Sequence, residues 1–243
     1  MHDIAIKASN LTRRFGSFTA VNSISLEVFR GEVFGFLGAN GAGKTTAIRM
    51  FTGLLKPSSG EAWVGGHSIH DDPRAIKKII GYMSQKFSLY EELRVEENLD
   101  FFAGAYNLNP AEAQARKEEL LEQFGLAQWR HRLTKSLPLG YKQRLALSCA
   151  LIHKPQILFL DEPTGGVDPI ARRNFWDIIH RLAAAGATVF VTTHYMDEAE
   201  YCHRISIMNK GEIIALGSPV ELKQQFSQAT IQELFLHAVR EQN

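Results

Sequence analysis

Cysteine is scarce in this chain, with only Cys149 and Cys202 among 243 residues. Two cysteines are too few for the disulfide framework that supports small secreted domains, and they suit a reducing compartment such as the cytosol. We expect both side chains to be buried and to behave as small apolar groups rather than as reactive thiols.

Long apolar runs and an excess of one charge are also missing. No stretch approaches the roughly 20 consecutive apolar residues that a membrane-spanning helix needs, and residues 1–7 have no apolar signal core. The 27 Lys and Arg residues nearly balance the 26 Asp and Glu residues. This balance argues against a nucleic-acid-binding protein, and any membrane process would require another polypeptide to cross the bilayer.

Two kinds of strand are predicted. Three short, dense runs of β-branched and aromatic residues are typical of central strands in a parallel sheet that is covered on both faces; they span 33–37, 157–160 and 188–192. Three other segments alternate apolar and polar residues, which indicates a half-exposed antiparallel sheet beside the first; they span 4–8, 21–28 and 61–69. Residues 205–216 are predicted to form a closing hairpin.

Helices are predicted over 44–55 and 170–185, where apolar residues recur at helical spacing. The region 92–152 is predicted to form an inserted helical subdomain, with Asn109-Pro110 beginning one of its helices. We therefore expect a single domain. Its parts are a core with the β-subdomain (1–91 and 153–218), the helical subdomain (92–152) and a helical tail that docks on the body (219–243).

A glycine-rich segment follows the strand 33–37 directly and opens the next helix. Glycines allow successive backbone N–H groups to converge on one anion, and the positive end of the helix adds to the attraction. A lysine here can reach the outer phosphates of a nucleotide, and the next hydroxyl can hold Mg²⁺. The predicted binding residues are Gly38, Asn40, Gly41, Ala42, Gly43, Lys44, Thr45 and Thr46.

Two carboxylates, Asp161 and Glu162, end the strand 157–160. In a phosphate-loop fold one acid at this position completes the Mg²⁺ shell and the next polarises the attacking water. On its own such a pair is about as well explained by a helix N-cap and a solvated acid. The expected proximity of this strand to the phosphate loop favours the catalytic interpretation.

Two further side chains follow strand ends. His194 comes after Thr192-Thr193, where an imidazole could bind the γ-phosphate and hold the attacking water. Gln85 comes after the strand-like segment 81–84 and offers a neutral amide to the metal or the water. Each residue alone carries little information, because isolated His and Gln residues are usually structural.

Taken together and in this order, these residues resemble the ATP-binding cassette (ABC) family of transporter ATPases, from Ile4 to about Leu216. The resemblance implies an α/β P-loop NTPase (RecA-like) core with a parallel sheet, a flanking antiparallel β-subdomain and an inserted helical subdomain. It also implies ATP and Mg²⁺ as ligands. The family roles it implies are Phe15 as the adenine-stacking ring, Gln85 as the Q-loop residue, Asp161 and Glu162 as the Walker B pair, Asp168 as the D-loop residue and His194 as the switch histidine.

One motif departs from the family pattern. The signature Leu-Ser-Gly-Gly-Gln, which in the family caps ATP held by the opposite cassette, is replaced by residues 137–141, Leu-Pro-Leu-Gly-Tyr. Pro138 has no N–H to offer, and Leu139 adds bulk where a phosphate must approach. Gly140 and the positive helix end remain. We expect Pro138, Gly140 and Asp168 to contact the nucleotide of a second cassette weakly, unless the proline merely starts the helix differently and a neighbouring group substitutes.

The region around 137–169 resembles cassettes of ABC-2-type drug exporters. This implies ABC-2-type membrane permease subunits as partners, a second cassette as homodimer, heterodimer or tandem half, and a location on the cytoplasmic face of the inner membrane. Residues 86–90 are expected either to line a groove for a permease helix or to pack internally.

Two alternatives to a transporter ATPase stay open: a soluble ABC ATPase acting on nucleic acid or the ribosome, and a weakly hydrolysing regulatory cassette. A GTPase is disfavoured, because Glu212 stands where guanine recognition needs Asp.

Overall fold

Two β-sheets organise the fold in the computed structural model, which describes residues 3–241. The larger sheet has six strands in the order β10-β9-β3-β8-β7-β6. Neighbouring strands are parallel except for the closing β9–β10 hairpin. Its strands are β3 (Val33–Gly38), β6 (Ile80–Met83), β7 (Ile157–Asp161), β8 (Thr188–Thr193), β9 (Arg204–Asn209) and β10 (Glu212–Gly217). Every residue of β3, β7 and β8 is buried, which confirms the predicted central strands.

The smaller sheet is antiparallel, as predicted, in the order β2-β1-β4-β5. Its strands are β1 (Ile4–Phe15), β2 (Phe18–Phe29), β4 (Ser59–Val64) and β5 (His67–Ser68). The single strand expected over 61–69 is wrong. Gly65 and Gly66 have φ angles of 57° and 84°, and this left-handed turn breaks the segment into β4 and β5.

Helices cover both faces of the large sheet. They are α1 (Lys44–Phe51), α2 (Pro73–Ile79), α3 (Val95–Ala105), α4 (Pro110–Gln123), α5 (Leu139–Leu151), α6 (Pro169–Ala184), α7 (Pro219–Gln225) and α8 (Ile231–Glu241). Asn109 caps α4 as expected, because its side chain accepts a hydrogen bond from the Glu112 N–H. The helix predicted over 44–55 is too long: α1 ends at Phe51, and Gly53 then turns the chain with a φ of 66°.

Two apolar cores lie on opposite faces of the large sheet. One contains α1 between the sheets, and in it the rings of Phe34, Phe36, Phe51, Phe159 and Phe190 pack with centroids 5.3–6.3 Å apart. The other joins the sheet to α3, α5 and α6 and includes residues of the tail helix α8. The tail therefore docks on the body, as the apolar spacing predicted.

Cys149 and Cys202 are both free and buried. Burial raises the pKa of each thiol well above its ordinary value, so both are unreactive near neutral pH. Within residues 3–241, the helices are all too short or too polar to cross a lipid bilayer.

Candidate active site

The carboxyl ends of four parallel strands bring the predicted site residues to one edge of the large sheet. Asp161 at the end of β7 pairs with Thr192 in β8, and Leu37 at the end of β3 pairs with Thr193. Met83, the last residue of β6, pairs with Leu160, so Gln85 follows at the same edge. The sheet register explains why residues distant in sequence meet here.

The loop between β3 and α1 is held in a conformation that requires glycine at two positions. A Cβ on Gly38 would lie 2.4 Å from the Met208 carbonyl oxygen, and one on Gly43 would lie 2.3 Å from the Ala20 carbonyl oxygen. Gly43 has a φ of 108° and immediately precedes α1. The loop therefore begins α1 with its N–H groups free of side-chain caps, which is the arrangement that binds anions.

Lys44 is buried in this loop and bonded to the backbone. Its Nζ donates to the Gly38 carbonyl at 2.7 Å and to the Ala39 carbonyl at 3.1 Å. It also lies 3.3 Å from Oε1 of Glu162, which is itself buried. The ammonium group gives the buried carboxylate its counter-charge.

Three of the other predicted residues, Lys44, Gln85 and His194, meet at the Glu162 carboxylate. Gln85 Nε2 donates to Glu162 Oε2 at 2.9 Å, and His194 Nδ1 lies 3.0 Å from the same oxygen. The φ of Glu162 is 48°, in the left-handed region that non-glycine residues rarely adopt. The turn points the carboxylate at Lys44, Gln85 and His194 together.

Asp161 lies beside this group and is bonded to two hydroxyls. Thr192 Oγ1 donates to its Oδ1 at 2.6 Å, and Thr45 Oγ1 donates to the same oxygen at 3.2 Å. Burial raises the pKa of Asp161, while the hydrogen bonds from Thr192 and Thr45 oppose the shift. A buried carboxylate beside a hydroxyl offers hard oxygen ligands to a cation.

A cavity of about 370 Å³ opens over the phosphate loop. Its walls include two residues that the sequence did not single out, Phe18 and Ala20. Phe15 does not line this cavity; its ring lies under the Arg13 guanidinium, 4.5 Å away. The remaining lining residues are Asn40, Gly41, Gly43, Lys44, Thr45, Thr46, Gln85 and Glu162.

Residues 137–141, which replace the family's signature motif, lie apart from the phosphate loop of the same chain. Pro138 is the N-cap of α5, and Leu139 begins the helix with its side chain 40% exposed. The Leu139 Cδ2 lies 3.4 Å from the point that a Cβ on Gly166 would occupy. A separate cavity of about 300 Å³ is lined by residues that include Pro138, Gly140 and Asp168. This separation is compatible with the contact to a second cassette implied for these residues.

Asp168 has a local structural role in this arrangement. Its Oδ1 accepts hydrogen bonds from the N–H groups of Ile170 and Ala171, so it caps α6. Ile170 beside it is 75% exposed. Ile170, in the first turn of α6, therefore exposes an apolar side chain to solvent.

Some side chains of the segment 86–90 pack internally and another is exposed on the surface. Phe87 and Leu89 pack against the core that contains α3 and α5. Tyr90 is 47% exposed and meets the exposed ring of Phe101 edge-on, with centroids 4.4 Å apart. The first pair contributes to internal packing, and the second pair forms an exposed aromatic surface.

Thr192 is a third residue of the site, after Phe18 and Ala20, that the sequence did not single out. Besides donating to Asp161, its Oγ1 accepts a hydrogen bond from the Glu162 N–H at 3.0 Å. The sequence offered one signal for Thr192, its position just before His194 at the end of a buried strand. That signal was not sufficient, because the neighbouring Thr193 shares it.

Comparison with known proteins gives concordant matches. A family model described as "ABC transporter" matches residues 21–165. The chain is 50% identical over 223 residues to the probable multidrug ABC transporter ATP-binding protein YbhF of Escherichia coli, covering 92% of this chain but only 39% of that relative. It is 38% identical to the linearmycin resistance ATP-binding protein LnrL of Bacillus subtilis, covering 97% and 76% of the two chains.

Solved structures agree with the fold. A structure of an ATP-binding subunit of an ABC transporter matches with a TM-score of 0.86 and 30% identity over 97% of this chain and 99% of that one. CbiO1 from Clostridium perfringens, part of the ABC transporter complex cbiONQ, matches with a TM-score of 0.84 and 28% identity over 98% and 97%. The α/β core with its two sheets and inserted helices is therefore the architecture of these cassettes.

Proposed function

The chain belongs to the ABC transporter family, and from this premise we propose that it binds and hydrolyses ATP to drive a separate membrane permease. The observation that carries the proposal is the meeting of Lys44, Gln85 and His194 on the carboxylate of Glu162 beside the phosphate-loop cavity. A nucleotide-binding loop alone would need no such cluster. A hydrolytic site needs a base, a group that orients water and a cation that meets the phosphates.

The phosphates bind at the N-terminus of α1. The N–H groups after Gly43 have no side-chain cap, so they are available to the β- and γ-phosphate oxygens. Lys44 has backbone carbonyls as partners, which it exchanges for phosphate oxygens. Phe18, which is 61% exposed on the cavity wall, offers a planar surface to the adenine.

The chemistry of Thr45 and Asp161 fits Mg²⁺. The hydroxyl and the carboxylate oxygen are 3.2 Å apart, and burial raises the pKa of Asp161, so a divalent cation would stabilise its charged form. Among the described residues, no group of three or more acidic, His or Cys side chains is arranged to hold a metal ion. One hydroxyl and one carboxylate suit Mg²⁺, which is typically held by one or two protein groups with phosphates and water. When bound, the ion neutralises charge on the phosphates.

Glu162 and His194 act on the attacking water. Glu162 polarises the water. His194 Nδ1 lies 3.0 Å from Glu162 Oε2, which as a carboxylate oxygen accepts a hydrogen bond from the ring and orients it. The Nε2 atom would bind a γ-phosphate oxygen when it too carries a proton. Gln85 shares the same carboxylate oxygen, so a shift of the segment after β6 changes the position of the base. Movement of this segment thereby couples nucleotide state to the rest of the molecule.

A second cassette completes the site, and the two cassettes differ. Pro138, Gly140 and Asp168 line a cavity away from this chain's own phosphate loop, so they would meet a nucleotide held by the partner. Pro138 lacks an N–H, and Leu139 projects over Gly166, so this surface binds phosphate poorly. We therefore propose that the intact phosphate loop works opposite a better signature motif on a non-identical cassette.

The membrane partner docks on the surface formed by Tyr90, Phe101 and the neighbouring cavity. That cavity, of about 520 Å³, is lined by Leu54, Lys86 and Ser88 among others, and it reaches the site residues Thr45, Gln85 and Asp161. An exposed aromatic pair suits the apolar face of an amphipathic helix. We propose that this helix belongs to an ABC-2-type permease, that the chain lies on the cytoplasmic face of the cell membrane and that no nucleic acid takes part.

A weakly hydrolysing regulatory cassette is the second candidate function, favoured by one observation. Leu139 occupies the space over Gly166 that a glycine would leave open, so a symmetric pair of these chains would close poorly. In that case the chain would bind ATP and turn over slowly even with its partner.

Steady-state hydrolysis with Mg²⁺ distinguishes these functions. The purified chain is assayed alone and with a co-purified second cassette, and a Glu162→Gln variant removes the base. Glu122→Gln is the matched control, because Glu122 is exposed and distant from the cavity residues. Hydrolysis that increases with the second cassette and is lost only in Glu162→Gln supports the motor, whereas slow turnover in both preparations supports the regulatory cassette.

A further inference from the structure

Arg172 begins a row of three side chains in contact that ends at His194. Its guanidinium carbon lies 3.9 Å from the centroid of the Tyr195 ring. The Tyr195 ring in turn lies 4.2 Å from the His194 imidazole, centroid to centroid, with 36° between the planes. His194 Nδ1 then reaches Glu162 Oε2. The side chain on helix α6 is thus connected to the base through two rings.

Arg172 also forms an ion pair with a buried acid. Glu198 is fully buried, and its Oε1 accepts the Thr164 hydroxyl at 2.6 Å. Arg172 Nε lies 3.6 Å from the same oxygen, and the Arg172 side chain is only 18% exposed. A buried carboxylate without a counter-charge is costly, so Arg172 is retained in place rather than free to sample solvent.

The Tyr195 contact depends on its ring and not on its hydroxyl. The Tyr195 N–H donates to Thr193 Oγ1 at 3.0 Å, which fixes the backbone between β8 and the following turn. Among the hydrogen bonds of residues 3–241, none involves the Tyr195 hydroxyl. A cation over the face of a tyrosine ring is an attractive arrangement that sets the plane of that ring.

From this geometry we infer that Arg172 and Tyr195 are positioning residues that hold the His194 imidazole against Glu162. The inference rests on the proposed function, in which His194 orients the attacking water. Without the Arg172 guanidinium, the Tyr195 ring has no cation packed on its face. The His194 imidazole that contacts this ring is then free to rotate away from Glu162 Oε2. A small misplacement of a reacting group lowers the rate of the chemical step much more than it lowers substrate affinity.

The first test observes the imidazole directly and needs no hydrolysis. Histidine side chains of the full chain are labelled with ¹³C, and a His194→Gln variant assigns the His194 resonance. Arg172→Met and Tyr195→Leu should shift or broaden that resonance, while Tyr195→Phe should leave it in place. Arg173→Met is the matched control, because Arg173 is the exposed neighbour on the same helix. An unchanged resonance in folded Arg172→Met would overturn the inference.

The second test measures hydrolysis of Mg-ATP in two backgrounds. Arg172→Met should lower kcat by about 10- to 100-fold with KM nearly unchanged, and Arg172→Lys should recover part of the loss. In a His194→Ala background the same substitution should have no further effect, because the residue through which it acts is gone. An equal further loss there would contradict positioning through His194. If the wild-type chain shows no Lys44-dependent hydrolysis, the proposed function fails while the resonance test still decides this inference.

Discussion

His194 Nδ1 lies 3.0 Å from Oε2 of Glu162, across 32 residues of sequence. Glu162 reaches this contact only because its backbone adopts a φ of 48°, held by its N–H bonding to both the carbonyl and the hydroxyl of Thr192. A left-handed residue at this position costs on the order of 1–3 kcal/mol. This backbone strain lies at the residue whose carboxylate must be oriented toward the site, which is typical of functional sites.

Removing the charge of Glu162 should separate nucleotide binding from hydrolysis. Glu162→Gln keeps the size of the side chain and its contact with Gln85, so ATP binding is retained. Loss of the base should lower hydrolysis by about 100-fold or more. In size-exclusion chromatography with Mg-ATP, the variant together with a second cassette should elute as a closed dimer. Persistent monomers under these conditions would count against the two-cassette arrangement.

Phe18 should contribute to ATP affinity. Its ring is 61% exposed and lines the phosphate-loop cavity, and a stacked base contributes about 1–3 kcal/mol. Phe18→Ser should therefore raise the Kd for ATP by about 5-fold or more, measured by calorimetry, without affecting tripolyphosphate, which has no base. Phe15→Ser measures the family-implied position in the same assay. Leu236→Ser, at an exposed leucine of α8, is the control; a Kd equal to wild type for Phe18→Ser would refute this role.

Restoring a signature-like motif should improve closure. The double substitution Pro138→Ser with Leu139→Gly supplies a hydroxyl and removes the side chain that lies over Gly166. A hydrogen bond to a charged group contributes about 1.5–3 kcal/mol, so hydrolysis by the chain alone should rise about 10-fold. Leu133→Ser controls for loss of an exposed leucine elsewhere. Unaltered turnover in a folded double variant would show that the motif does not limit closure.

Thr192 should stabilise both acids of the site. Its hydroxyl is fully buried and bonds to Asp161 and to the Glu162 N–H. Thr192→Val keeps the shape but removes one hydrogen bond from each of these two groups, which should lower the free energy of unfolding by about 1–3 kcal/mol. Urea unfolding measures the difference, with Thr19→Val on strand β2 as control. A change within 0.5 kcal/mol, about the scatter of neutral substitutions, would mean that water replaces the hydroxyl.

The acid stability of the helical region should depend on Glu96. Burial raises the pKa of Glu96, but hydrogen bonds from His131 and Arg130 outweigh burial and hold it below its ordinary value of 4.5. Because the folded pKa is lower than the unfolded pKa, the stabilisation is present above about pH 4.5 and is lost as the pH falls through the folded value. Glu96→Gln should thus be destabilising at pH 7, and its difference from wild type in urea unfolding should shrink as the pH falls below the ordinary value of 4.5. A difference independent of pH would refute the ionic contribution.

Much of the fold was predictable because its signals are local. The strands β3, β7 and β8 are continuous apolar runs, and Asn109-Pro110 marks the beginning of α4. The end of α1 and the break between β4 and β5 were missed, since glycine turns at Gly53 and Gly65 override the apolar pattern around them. Periodicity detects the buried face of an element better than its boundary.

The site was predictable only where a motif encodes it. The phosphate loop and the pair of acids at the end of β7 are each a contiguous run in the sequence, and their proximity in space followed from the parallel strands that precede them. Phe18 and Thr192 became apparent only through the cavity and the hydrogen bonds, because their partners lie more than 20 residues away. The row from Arg172 to His194 likewise depends on how α6 packs beside β8, which no local pattern specifies.

Binding of Mg-ATP measured by isothermal titration calorimetry tests the central claim most directly. The wild-type chain should bind one ATP per molecule in a Mg²⁺-dependent manner. Lys44→Ala should lose most of that affinity, because Lys44 supplies the one buried ammonium group among the described residues that line the cavity. Lys223→Ala, whose side chain pairs with Glu200 away from the site, should bind as wild type does. Absence of binding, or equal affinity in Lys44→Ala, would contradict the account.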